Sequence, residues 1–173
     1  VPSGGLLSFG GSVKLTNTND LTGLSVTGFS FLAGAGAFTL DGGEVSVGTS
    51  VANNSSNAQR IKMPLNFTGQ AEITGASALY FDGDLRGAGF FKKGNGTLYV
   101  AGDTSGLTGP VVISNKIVQV SGGTNGFPGG VAISYDQDAG LAINSGSVVA
   151  GVVKVYGKSS NNYTIDSQGA GLQ

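Results

Sequence analysis

The stretch GAGFFKKGNGTLYVAGDTSGLTGPVVISNKIVQVSG, residues 87–122, decides how the whole chain reads. Its apolar β-formers come in pairs with one residue between them: Leu98 and Val100, Val111 and Ile113, Val118 and Val120. A spacing of two places such pairs on one face of an extended strand, because successive side chains point to opposite sides. Glycines at positions 94 and 96 precede the first pair, and those at 102, 106 and 109 separate it from the second. Each would cost a helix about 1 kcal/mol relative to Ala, so this segment predicts short strands joined at glycine corners.

The same alternation runs outward in both directions. Val13/Leu15, Leu24/Val26, Phe38/Leu40, Val45/Val47, Ile61/Met63/Leu65/Phe67 and Leu79/Phe81 precede the stretch. Val131/Ile133, Leu141/Ile143, Val153/Val155 and Tyr163/Ile165 follow it. Thr, Ser, Lys and Asn are expected on the other face. Strands of roughly four to six residues recurring about every 8–12 predict an all-β fold.

Composition narrows the class. Of 173 residues 32 are Gly, more than twice the usual share of about 7%. There is no Gly-X-Y period and Pro numbers only four, which excludes collagen and a polyproline linker. Charged residues are 11%, the net charge is −1, and His, Cys and Trp are absent. Triads built on His or Cys, the usual zinc sites and disulfides are therefore excluded. The basic residues are scattered, with Lys92 and Lys93 the only adjacent pair, so neither nucleic acid nor an anionic membrane is an expected partner. No apolar run approaches the roughly 20 residues of a membrane span. The opening at Val1 carries no signal-peptide pattern, so the chain is expected to be a processed piece.

Two all-β architectures compete. Asp41-Gly42, Asp82-Gly83, Asn95-Gly96 and Asn125-Gly126 would suit the two-residue turns of an antiparallel sandwich. A parallel β-helix accounts better for the low charge and the glycine: its narrow interior takes one or two apolar side chains per strand, and like residues stack in ladders between coils. With three strands per coil, about sixteen strands give five or six coils, whereas roughly 22 residues per coil gives nearer eight.

Gly87, Gly89, Lys92, Gly94, Gly96, Thr97, Leu98, Val100, Gly102 and Gly109 also fall on a recurring pattern. The segment resembles the passenger-associated transport repeat of bacterial autotransporters. FSFLAGAGAFTLDGG at 29–43 and LYFDGDLRG at 79–87 are similar to strands that precede that repeat. Phe90 and Phe91 stand where the family prefers Leu, and Asn115-Lys116-Ile117 replaces its glycine-rich corner. The resemblance implies a right-handed parallel β-helix, secreted or displayed on the cell surface, in a structural or adhesive role. The membrane-barrel translocator of such proteins has no counterpart in these residues.

Sites for chemistry are few. Asp82 with Asp84, and Asp136 with Asp138, have the spacing to share a strand face, as paired carboxylates in glycoside hydrolysis or calcium ligands would require. Arg60-Ile61-Lys62 resembles one element of polygalacturonase-like hydrolases, but that family's Asn-Thr-Asp, Asp-Asp and His-bearing elements are missing. No catalytic residue, resident metal or cofactor is expected. Tyr80 and Tyr99 alternate with the inward Leu79/Phe81 and Leu98/Val100, so both should face out and could contact a glycan or protein; Tyr135 and Tyr156 are lesser candidates. The whole of 1–173 is expected to form one solenoid segment, either part of a longer protein or a subunit stacking on further copies. An extracellular or phage fibre, and a polysaccharide-binding or polysaccharide-cleaving β-helix, are the alternative readings.

Overall fold

The computed structural model describes residues 4–122, 124–134, 138–144, 148–155 and 164–166. It is a parallel β-solenoid, with every strand pair parallel and no helix among the described residues. The sandwich alternative is thereby set aside.

Each coil passes through three strand positions. The first holds the leading halves of Leu24–Phe31 and Val45–Asn53, then Leu65–Phe67, Leu85–Gly87 and Gly106–Leu107. Thr124–Gly126 and Val148–Ala150 continue the series as a separate pair. The second holds Leu6–Phe9, the trailing halves of the two long strands, then Ala71–Gly75, Phe90–Lys92, Val111–Ile113, Val131–Ile133 and Val153–Val155. The third stacks eight strands: Thr16–Asn19, Thr39–Gly42, Gln59–Ile61, Leu79–Phe81, Leu98–Val100, Ile117–Val120, Gly140–Ile143 and Thr164–Asp166. Among the described residues these make seven three-strand coils preceded by a partial one. Their length runs from 19 residues (Tyr80 paired with Tyr99) to 24 (Ala142 with Asp166). Eight strands at the inter-strand spacing make the stack about 34 Å long.

The burial of three-residue strands follows the predicted alternation. Leu65–Phe67, Leu79–Phe81, Leu98–Val100, Val111–Ile113 and Val131–Ile133 each bury their outer residues and leave the middle one half-buried. Inside, Phe67 packs its ring against Phe81 and Phe90, at centroid distances of 6.5 and 5.8 Å. Twenty-one strands are described, more than expected, because strands such as Leu85–Gly87 and Gly106–Leu107 bury only one large side chain each and so show no apolar pair. One expected strand is absent: Val13 is 78% exposed. Lys14 adopts the left-handed backbone, with φ of 54°, which breaks the extended run before Thr16.

Polar side chains are also buried where the second position turns into the third. Asn53, Ser55 and Gln59 are fully buried and bond the backbone of the corner. Gln59 accepts from the Phe38 amide at 2.8 Å and donates to the Gly36 and Asn57 carbonyls. Asn53 donates to the Asn57 and Ala78 carbonyls and accepts from the Ser55 amide. Ser55 donates to the Ala35 carbonyl at 2.5 Å. Buried polar groups cost free energy unless bonded in this way.

Coil stacking sets a steric demand at the corners. A Cβ on Gly96 would overlap the carbonyl of Ser77 in the preceding coil, whereas nothing lies within 4 Å of one on Gly34. Gly96→Ala is therefore expected to destabilise the fold by about 2–4 kcal/mol. Gly34→Ala should leave stability unchanged or raise it by up to about 1 kcal/mol. Urea denaturation followed by circular dichroism compares the two; equal effects would contradict this stacking.

Candidate functional site

The outward face of the third strand position carries the two tyrosines, Tyr80 and Tyr99, that sequence reasoning singled out. Arg60, Tyr80, Tyr99 and Gln119 occupy successive coils in strict register. The rings of Tyr80 and Tyr99 stack at 4.5 Å and 7°, and the Arg60 guanidinium lies 4.5 Å from the centroid of Tyr80. Stacking at the strand spacing uses both faces of Tyr80 and one face of Tyr99. A sugar or protein contact would meet the ring edges and hydroxyls, since Gln119 occupies the next coil beyond Tyr99. Gln119 extends the column by donating to Asn144 Oδ1 at 2.7 Å.

The paired aspartates diverge. Asp82 forms an ion pair with Arg60 of the preceding coil. Asp84 instead accepts the Asp103 amide of the following coil at 3.1 Å. Asp103, which the sequence did not single out, accepts both the hydroxyl and the amide of Ser105; these hold its carboxyl below the ordinary range. Asp138 is largely exposed and lies 3.6 Å from Lys116. Asp136, like Tyr135 and Tyr156, lies outside the described residues. Among the described residues no three acidic side chains gather where a metal ion would need them. Lys116 takes a left-handed backbone with φ of 57°, so the Asn115-Lys116-Ile117 corner keeps the conformation that glycine would otherwise supply.

The repeat-like residues gather at the corners. Cβ atoms on Gly96, Gly102 and Gly109 would overlap the carbonyls of Ser77, Gly83 and Ala88 in the coil before, and one on Gly89 would overlap that of Pro110 in the coil after. Thr97 leads into the strand whose Leu98 and Val100 enter the core. Lys92, expected only as a residue of the repeat pattern, is 2% exposed and points inward in a column with Val51, Ile73, Ile113 and Ile133. Its ammonium donates to the carbonyls of Lys93, Gly94 and Asn115 at 2.9, 2.9 and 3.2 Å. Its three protons thus bind two successive corners together, and the aliphatic stem fills the core. Asn115 reinforces the contact by donating to Asn95 Oδ1 at 3.1 Å.

Family models, curated proteins and solved structures were all compared with this chain, and none matches it.

Burial pushes the Lys92 ammonium down from 10.5 to about 8. Between those two values the unfolded chain holds a proton that the native state has released, so this group makes stability rise with pH over that interval. Lys92→Met would strip three corner carbonyls of their donor, a loss of about 2–4 kcal/mol at pH 7 after the relief of burying a charge is counted. Urea titrations of both proteins from pH 7 to 10.5 should show the gap widening as pH rises. A variant as stable as the wild type would remove Lys92 from this role.

Proposed function

We propose that this chain is a non-catalytic structural and adhesive segment of a secreted or cell-surface bacterial protein, similar to an autotransporter passenger. The observation that carries the reading is how the repeat-like residues of 87–122 are used. Their glycines admit the neighbouring coil's backbone and Lys92 ties consecutive corners, so the motif serves coil stacking. That agrees with a repeat whose role is in export and folding.

The carboxylates support the same reading. Asp82 and Asp84 are each engaged with a neighbouring coil, in opposite directions along the stack. The surface offered to a partner is the weakly charged outer face of the coils, with Arg60, Tyr80, Tyr99 and Gln119 in one line. Such a face suits a glycan or a protein, and it needs no cofactor.

Antibody raised to the pure chain and applied to intact cells of the source bacterium should label them before permeabilisation. Labelling that appears only after lysis would overturn the surface assignment, and release of reducing sugar from a polysaccharide panel would overturn the non-catalytic one.

A further inference from the structure

The outward face of the second strand position holds a column in which charge and size are arranged symmetrically. Along five successive coils it reads Glu72, Phe91, Val112, Ala132 and Lys154, each in register with the next. Phe91, Val112 and Ala132 are only half-buried, and Glu72 and Lys154 are exposed. Beside Ala132 lies a groove of about 360 Å³ lined by Pro110, Pro128, Val152 and Lys154; Val152 is 62% exposed. Among the described residues Lys154 makes no ion pair, whereas Glu72 is paired with Lys93.

We infer that this stripe is a lateral interface between two copies of the chain, packed antiparallel about a two-fold axis at Val112. With the rods reversed, Lys154 of one copy meets Glu72 of the other and joins Lys93 at its carboxylate, and the relation is repeated by symmetry. The large Phe91 meets the small Ala132 and enters the groove beside it, while Val112 meets its own counterpart. Charge, volume and apolar surface are each matched to the same partner by one operation, as an isologous interface requires. A parallel arrangement would set Glu72 against Glu72 and Lys154 against Lys154, and like charges oppose it. The stripe is about 19 Å long at four strand spacings, so the interface is small and the dimer belongs to the weak, concentration-dependent class.

Sedimentation equilibrium of the full 173-residue chain from micromolar to millimolar concentration tests it. The wild type should pass from monomer to dimer without forming larger species. Val112→Arg brings two cations together on the axis and should raise the dissociation constant at least tenfold. Glu72→Lys and Lys154→Glu should each weaken the dimer several-fold, and the double variant, which restores opposite charges across the interface, should recover most of the loss. Urea denaturation of each variant verifies that its fold is retained. A wild type that stays monomeric throughout, an association that Val112→Arg leaves unchanged, or a double variant no tighter than the single ones would each overturn the proposal.

Discussion

The stacking of one coil's backbone on the next is the interaction on which the rest of this structure depends. Amide and carbonyl groups along each strand pair with the coils on either side, as when Lys93 donates to Ile73 and Ala101 to Phe81. The coils are therefore held at the inter-strand distance. That fixed spacing dictates what each column may contain. Inward columns take β-branched and aromatic side chains that fill the narrow interior, and outward columns take groups that tolerate close neighbours above and below. At the tight corners even a methyl group would overlap a neighbouring carbonyl, as it would at Gly96, Gly102 and Gly109. Much of the glycine content follows from this repeated close approach.

Corners create a second requirement, because a chain that leaves one sheet before entering another exposes backbone groups that no strand can pair. Here the solution changes along the stack. Near the amino-terminal coils, Asn53, Ser55 and Gln59 turn inward and bond the corner directly. Farther along, a single lysine does so with three hydrogen bonds. An ammonium is costly to bury, yet it supplies three donors at one point and reaches two coils. The surface ion pairs likewise run between coils: Arg60 with Asp82, Lys93 with Glu72, and Arg86 reaching Glu44 at 3.2 Å. Being exposed, they contribute little to stability. Their direction nonetheless shows that the side-chain contacts repeat the axial order of the backbone.

Much of this was legible in the sequence because parity in a strand is a strict rule. Leu98/Val100, Leu79/Phe81 and Val131/Ile133 declared both their strands and their inward faces, and the outward placement of Tyr80 and Tyr99 followed from the same count. The stacking of those two rings depended on a coil of 19 residues at that point, and coil length varies too much along the chain to be read without the register. Lys92 was hidden by its chemistry: a lysine reads as a solvent-facing residue, although its spacing from Phe90 puts it on the core face. Asn53 and Gln59 were concealed for the same reason, since each lies two residues from a buried aliphatic, Val51 and Ile61. Val13 shows the opposite failure, where apolar character suggested burial and the backbone at Lys14 turned the side chain to solvent. The separation of Asp82 and Asp84 turned on the local corner, which residue spacing alone does not specify.

The third-position strands lie in register, one coil above the next, and the absence of native cysteine allows a direct distance measurement. Spin labels would be attached at cysteines replacing Thr39 and Gln119, and in a second protein Thr16 and Gln119; these pairs are separated by four and five coil steps. Pulsed electron spin resonance should return distances of about 19 and 24 Å, differing by one strand spacing. Equal distances, or a shorter one for the pair with more intervening coils, would contradict the stacked solenoid.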